Sequence, residues 1–402
     1  MGVNTQDQQQ LPPTTTASGM PRVVIIGDGQ LARMMHPAAA ELGLAPRLLA
    51  GAADSSAAQV MGDVVLGDYT KLADLKRASA GAAAVTFDHE HVPPEHLKAL
   101  ISEGIACHPT PAALIYAQDK LFMRRKLADI GAPVPEFSPI DSVEQATEFF
   151  HRVDGAVCLK ARRGGYDGHG VWFPATLEEL QSQVTQLLER NTPLMAEKKL
   201  TLNRELSALL ARTPSGTVRS WPIAQSVQKD GICFMATAPA PDVPAEIEKL
   251  AHRIATELQV TGVLAVELFD TPEGIFVNEL AMRPHNTGHW TQDGSLTSQF
   301  EQHIRAVLDW PLGATTLSAP ATAMANVLGA DTDPAMPVPE RMRHVWEKYP
   351  HAKIHYYGKQ WRPGRKLGHV NVSADTATAA QQQAREAAHF LVHAQWPTSP
   401  HN

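Results

Sequence analysis

The sequence predicts an α/β protein of two or three domains, opening with a doubly wound parallel sheet and continuing into a mixed α+β portion. Three observations lead there. Short apolar runs alternate with helix-like stretches over residues 21–111. A glycine-rich run flanked by cations, residues 160–171, follows the apolar segment Ala156-Val-Cys-Leu159. Two strand-like runs, residues 262–269 and 274–280, are joined by Asp270-Thr-Pro-Glu-Gly274, which has strong turn chemistry. A length of 402 residues leaves room for each domain to bury its own core.

The elements follow in order. Residues 1–20 are polar, rich in Gln, Thr and Pro, and lack the apolar core of a signal peptide; they read as a disordered tail. Arg22-Val-Val-Ile-Ile26 is a β-branched run typical of a buried parallel strand. Gly27-Asp-Gly29 makes a tight turn into a helix over 30–42. Strands at 47–50, 63–66 and 83–87 and helices at 72–80 and 95–103 complete the alternation. A helix is predicted over 118–130, stopped by Gly131 and Pro133. Further strands fall at 156–161, 194–197, 204–211 and 221–227, and helices at 143–151, 177–190 and 245–258. A Pro/Ala/Thr-rich stretch after Trp310-Pro311 marks a boundary. Residues 323–392 read as a small β-rich unit closed by a helix over 377–392.

Bulk properties narrow the function. The net charge of −7 argues against nucleic acid as a partner, and no apolar run approaches the ~20 residues of a membrane span. Cys107, Cys158 and Cys233 are widely spaced and odd in number, which suits free thiols of a cytoplasmic protein.

Four features carry chemistry. Gly27-x-Gly29-x-x-Ala32 meets the dinucleotide fingerprint, but Ala50-Gly51 stands where the acidic ribose partner belongs, which disfavours NAD. The turn is left as a phosphate-binding helix start or a tight turn without a ligand. In the second run, Gly164, Gly165, Gly168 and Gly170 lie beside Lys160, Arg162 and Arg163. Glycine lets bare N–H groups approach an anion, so a nucleotide-phosphate lid is favoured over a charged flexible hairpin. Third, a hairpin centred near Glu273 places Glu267 opposite Glu279, with Cβ atoms ~5 Å apart, where like charges repel. A divalent cation is the simplest compensation, and Mg²⁺ takes one or two carboxylates plus phosphates. A register slip that puts one glutamate in solvent is the alternative. Arg283-Pro-His-Asn-Thr-Gly-His-Trp290 follows and suits a small anion, although each histidine alone could be structural. Fourth, residues 341–370 hold eight Lys or Arg and one acid, Glu347; they form a solvated basic face or converge in part on a phosphate.

These features together describe a metal-nucleotide enzyme without a Walker P-loop. On Gly27-Asp-Gly-Gln-Leu-Ala-Arg-Met34, Thr86-Phe-Asp-His-Glu-His-Val92, Arg162-Arg-Gly-Gly-Tyr-Asp-Gly168, Asn278-Glu-Leu-Ala-Met-Arg-Pro-His-Asn-Thr-Gly-His-Trp290 and Gly364-Arg-Lys-Leu-Gly-His369, the chain resembles the ATP-grasp superfamily. Within it, residues 21–392 resemble the 5-(carboxyamino)imidazole ribonucleotide synthases. The resemblance implies an ATP-grasp fold with a doubly wound pre-ATP-grasp domain at 21–117. An ATP-grasp domain at 118–310 would follow, with a lid subdomain at about 118–200, and then a small β-rich domain at 311–402. It implies a ligase of purine biosynthesis that carboxylates 5-aminoimidazole ribonucleotide with bicarbonate and ATP through carboxyphosphate. Mg²⁺, or Mn²⁺, would be the metal, the enzyme a cytoplasmic homodimer, and its product would pass to a separate mutase.

By position, the resemblance places Lys120 and Lys160 on ATP phosphates and Gly165, Tyr166, Asp167, Gly168, His169, Gly170 and Val171 in the lid. Glu197, Lys198, Lys199 and Leu200 would border adenine, Glu205 the ribose, and Gln228 the nucleotide, where a histidine is common. Glu267 and Glu279 would hold the metal, with Asn278 close by. Tyr166, Asp167, Arg283, His285 and Asn286 would surround bicarbonate and the aminoimidazole. Gln30, Leu31, Glu90, Lys359, Arg365 and Lys366 would hold the ribonucleotide. His169 stands where many relatives have lysine. The rivals are another ATP-grasp ligase, such as a formate-dependent glycinamide ribonucleotide transformylase, and a non-catalytic nucleotide sensor. A sensor would have no use for Glu267, Glu279 and Lys160 together.

Overall fold

The computed structural model describes residues 16, 18–164, 169–229 and 231–398. Its contacts divide the chain into two units, Met1–His108 and Pro109–Asn402.

The first unit alternates strand and helix as the apolar periodicity requires. It runs β1 (Val23–Ile26), α1 (Gln30–Glu41), β2 (Arg47–Ala50), β3 (Asp63–Leu66), α2 (Leu72–Ser79), β4 (Ala84–Phe87) and α3 (Pro94–Ser102). The strands form one parallel sheet in the order β3-β2-β1-β4. All four residues of β1 and of β4 are buried, which explains why β1 is wholly apolar and β4 is apolar except for Thr86. The chain winds one way from β1 to β2 and returns to the other side of β1 at β4. Ligands of such sheets bind beyond the strand ends at that switch point.

The second unit opens with two short helices, α4 (Pro111–Gln118) and α5 (Lys120–Asp129). The sequence reading had one helix over 118–130. Asp119 breaks it: its backbone is extended, and its carboxylate caps α5 by accepting from the amides of Leu121 and Phe122. Next come β5 (Phe137–Ile140), α6 (Val143–Arg152), β6 (Val157–Ala161), β7 (Val171–Trp172), α7 (Leu177–Glu189) and β8 (Leu194–Lys198). Their strands pair antiparallel in the order β5-β8-β6-β7, and α6 and α7 pack on the sheet through Phe149, Leu180 and Val184. Ser142 and Thr176 cap the two helices.

The remaining elements are β9 (Arg204–Arg212), β10 (Val218–Ser220), β11 (Ala224–Lys229), β12 (Ile232–Ala238), α8 (Glu246–Glu257), β13 (Gly262–Thr271) and β14 (Gly274–Ala281). A 3₁₀ turn (Asn286–Gly288) follows, then α9 (Thr291–Gly294), α10 (Gln299–Val307), β15 (Ala321–Leu328), α11 (Val338–Lys348), β16 (Lys353–Tyr356), β17 (Lys366–Ala374) and α12 (Ala377–His393). One large sheet runs β14-β13-β9-β11-β12-β15-β17-β16, with β10 paired to β9. The β-rich C-terminal segment therefore prolongs the central sheet through β12 and β15. Strand β11 starts at Ala224 rather than at Trp221, because Pro222 cannot donate to a ladder.

The basic stretch 341–370 separates into parts. Helix α11, absent from the sequence reading, takes Arg341, Arg343 and Lys348. Arg341 is buried and bonds the carbonyls of Met336, Pro334 and Leu391 and the Asp333 carboxylate, so it holds the fold. All three cysteines are free and buried, and no helix of the described residues is long and apolar enough to cross a membrane.

Candidate active site

The hairpin β13–β14 supplies two facing carboxylates. Glu267 pairs with Glu279, as the sequence predicts, but by a different route. The turn has two residues, Pro272 and Glu273, between the paired Thr271 and Gly274. That register alone would set Glu267 against Asn278. A bulge at Asn278 shifts the ladder by one, so Leu268 faces Val277 while Glu267 faces Glu279. The bulge also lets Val277 and Leu280, three apart, enter the same core against α8. Ala265 and Ala281 belong to the core on the other face, and Glu267 and Glu279 follow that phase.

Burial, and then the nearby charge of Glu279, push the Glu267 carboxyl up. Lys120 Nζ donates to Glu279 Oε2 at 3.0 Å, and its charge holds the Glu279 carboxyl low. The Lys120 ammonium is correspondingly raised, chiefly by Glu279. Glu205, on β9, joins the group: burial raises its carboxyl, Gln228 hydrogen-bonds it, and its charge acts on Glu267. Lys120 acts on Glu267 and Glu279, and Lys366 on Glu267. Two facing carboxylates are a donor set that a hard divalent cation takes beside phosphate oxygens, although among the described residues no group of three or more His, Cys, Asp or Glu side chains is placed to hold a metal ion.

A second cluster lies at the root of β8. Glu197, almost fully buried, accepts from Arg124 Nε at 2.7 Å, Arg124 Nη2 at 3.2 Å and Lys160 Nζ at 2.7 Å. Burial alone would raise this carboxyl, but the two cations outweigh it and hold it at about 2. Strand pairing brings Lys160 and Glu197 together, since Cys158 pairs with Glu197 and Lys160 with Met195. Arg124 was not singled out from the sequence; it comes from a helix 73 positions away and carries no local signal.

Asp119 was missed as well, although a helix-capping aspartate before Lys120 is a readable sign. It is buried and accepts from Arg162 Nε and Nη2 and from Arg163 Nε. The Lys120 amide donates to Arg162 O at 2.9 Å. The start of the glycine run is thereby tied to the start of α5. Gly165, Tyr166, Asp167 and Gly168 lie outside the described residues. His169 is exposed, and Gly170 O accepts from the Ala161 amide as Val171 begins β7. Lys199 stands over the Phe173 ring, and the exposed Lys198 pairs with Glu273. Leu200 is half-buried.

Beyond β14 the chain turns back along the same face. His285 Nε2 lies 3.4 Å from Glu267 Oε1. Burial, aided by Arg283, lowers the His285 imidazole to about 3, so the ring is neutral at physiological pH. Asn286 Nδ2 is buried and has no hydrogen-bond partner among the described residues, which leaves it available to a ligand oxygen. Arg283 Nη1 donates to Pro284 O. Lys366, at the start of β17, acts electrostatically on Glu267 and His285. Arg365 Nη1 donates to Gln360 O, and Lys359 stands 5.8 Å from the Tyr357 ring centroid. The structure thus brings Lys120, Glu205, Gln228, Glu267, Glu279, His285 and Lys366 into one neighbourhood.

In the first unit, Gln30 and Leu31 begin α1 beyond β1, and Glu90 follows β4. These are the adjacent strands of the switch point. The first glycine turn is filled from within: Gly29 N donates to Asp88 Oδ2 at 2.6 Å. Gly27 has φ +102°, and a Cβ there would lie 1.8 Å from Asp88 Oδ1. The Gly29 amide is thus taken by a carboxylate, which supports the tight-turn alternative.

Comparison with known proteins agrees with this architecture. Family models match for a ribonucleotide synthetase preATP-grasp domain (residues 20–118), an ATP-grasp domain (125–300) and a phosphoribosylaminoimidazole carboxylase C-terminal domain (322–383). The chain is 57% identical over 400 residues to an N5-carboxyaminoimidazole ribonucleotide synthase of Corynebacterium ammoniagenes, covering 96% of this chain and 95% of that one. The crystal structure of the Thermus thermophilus synthetase matches with a TM-score of 0.82 at 34% identity, covering 94% of this chain and all of that one. The Aspergillus clavatus enzyme, in complex with ADP and 5-aminoimidazole ribonucleotide, matches with a TM-score of 0.82 at 27% identity, covering 92% and 98%. The chain belongs to the N5-carboxyaminoimidazole ribonucleotide synthase family of ATP-grasp ligases.

Proposed function

We propose that this chain joins bicarbonate to the exocyclic amine of 5-aminoimidazole ribonucleotide at the expense of ATP, with the second unit's carboxylate hairpin at the centre of the chemistry. The observation that carries the reading is Glu267 facing Glu279, with Lys120 bonded to Glu279, beside the cation-rich Lys160–Arg124–Glu197 cluster. Glu267 and Glu279, with Asn278 alongside, would hold Mg²⁺. When bound, it would neutralise charge on the phosphate oxygens.

The chain's own residues do the positioning. Lys120 and Lys160 hold ATP phosphates, residues 165–171 cover them, Glu197–Leu200 border adenine, and Glu205 with Gln228 takes the ribose hydroxyls. A bicarbonate oxygen attacks the γ-phosphorus, ADP leaves, and carboxyphosphate forms. The amine nitrogen then attacks the carboxyl carbon, or CO₂ released from it, and inorganic phosphate departs. Catalysis of this kind is mostly orientation and charge neutralisation. Arg283, His285 and Asn286 orient bicarbonate and its carboxyphosphate. Tyr166 and Asp167 are assigned to the acceptor amine, with Asp167 taking its proton. Gln30, Leu31 and Glu90 in the first unit, and Lys359, Arg365 and Lys366 in the second, are assigned to the ribonucleotide. The domain division at residues 117 and 310, a cytoplasmic homodimer and product transfer to a mutase complete the proposal.

ADP release should require both aminoimidazole ribonucleotide and bicarbonate. ATP turnover indifferent to the ribonucleotide would sink the reading.

A further inference from the structure

His285 is gripped by groups to which the reaction above gives no task. Its ring Nδ1 lies 3.4 Å from the Thr287 amide and 2.9 Å from Thr287 Oγ1. A backbone N–H only donates, so Nδ1 is an acceptor and carries no proton. The ring proton therefore sits on Nε2, which faces Glu267 Oε1 at 3.4 Å. Thr287 Oγ1 also lies 2.7 Å from Ser207 Oγ, and both residues are buried. With Thr287 donating to His285, Ser207 must donate to Thr287. One direction of donation runs from Ser207 through Thr287 and His285 to Glu267.

The main chain of His285 is held by a single carboxamide. Gln299 Oε1 accepts from His285 N at 2.8 Å, which fixes the orientation of the amide. Gln299 Nε2 then donates to His285 O at 2.8 Å and to His289 Nδ1 at 2.9 Å. Gln299 is fully buried at the start of α10. A Cβ on Gly288 would lie 2.5 Å from Gln299 Oε1, so only glycine there leaves room for the carboxamide.

We propose that Thr287 and Gln299 are positioning residues that lock His285 in its Nε2–H tautomer, aimed at Glu267, so that His285 serves as a hydrogen-bond donor and not as a base. This rests on the reading of His285 as a site residue. Long-range ¹H–¹⁵N correlation on the ligand-free full-length protein, with His285→Gln to assign the signal, should find the His285 proton on Nε2. Thr287→Val should shift proton density to Nδ1 and lower kcat by about 10–100-fold, with the KM for ATP changed by less than about two-fold. Thr287→Ser should restore both. A wild-type His285 protonated on Nδ1 overturns the proposal. So does Thr287→Val with an unchanged tautomer, or with a shifted tautomer and undiminished kcat. His285→Gln at wild-type turnover would instead remove His285 from the site and leave the tautomer result intact.

Discussion

Two acid–cation clusters of the second unit use the same side-chain types to opposite ends. At Glu197 one carboxylate is closed in by Arg124 and Lys160, each bonded to it and all three nearly water-free, with positive charge in surplus. At the hairpin, Glu205, Glu267 and Glu279 act on one another, Lys120 bonds Glu279, and the Glu279 side chain is 43% exposed. Buried ionic groups persist where their partners are complete. In the first cluster both Glu197 oxygens are taken, while Arg124 Nη1 is buried with no hydrogen-bond partner among the described residues. In the second, burial and the neighbouring Glu279 leave the Glu267 carboxyl raised. The difference separates a site's frame from its open position.

The largest effect should come from Glu279→Gln, which leaves the backbone untouched. ATP turnover should fall by at least about 100-fold while the fold is retained by circular dichroism. Near-normal turnover would end the metal assignment and the contrast with it. Arg124→Met should act on stability instead. It leaves Glu197 half-compensated in a dry site and should cost about 3–5 kcal/mol in urea unfolding. Glu197 is held at about 2 against an ordinary 4.5, so its contribution is present above the unfolded value. It is lost as pH falls from there toward about 2, and Arg124→Met should flatten that acid limb.

Glu267 carries the opposite sign. Its carboxyl is raised, so folding holds the proton more tightly and stability declines as pH rises past the unfolded value. Glu267→Gln should therefore raise the ligand-free melting temperature by about 2–4 °C near pH ~8 and change it little near pH ~5. A gain independent of pH would mean that Glu267 is not charge-stressed. The smallest effect belongs to Lys198→Ala, which breaks the exposed Lys198–Glu273 pair and should move stability by less than about 1 kcal/mol.

How much of this was legible depended on the range over which each feature is encoded. The parallel sheet of the first unit was readable because β1 and β4 are buried along their whole length and bounded by glycine and polar residues. The Glu267–Glu279 pairing was readable too, but through compensating errors: the turn is one residue tighter than a centre at Glu273 implies, and the Asn278 bulge restores the match. Nothing local announces a bulge at an asparagine between Val277 and Glu279. Arg124, Thr287 and Gln299 were invisible for another reason. Each matters through a partner fixed by tertiary packing, and their types are unremarkable where they stand. At the Gly27–Gly29 turn the motif left an anion site or a tight turn open, and the contact that supports the tight turn comes from Asp88, far along the chain.

The hydrogen-bonded seam between β12 and β15 bears on how the protein can be divided. Residues Met235–Ala238 pair with Thr322–Ala325, and nearly all of these side chains are buried. A fragment ending before β15 would expose β12 as a long apolar edge strand, the kind of surface that recruits other chains and precipitates. Subcloning the ATP-grasp portion alone should therefore yield insoluble material, and the segment from β15 onward acts as a solubility cap for the portion before it.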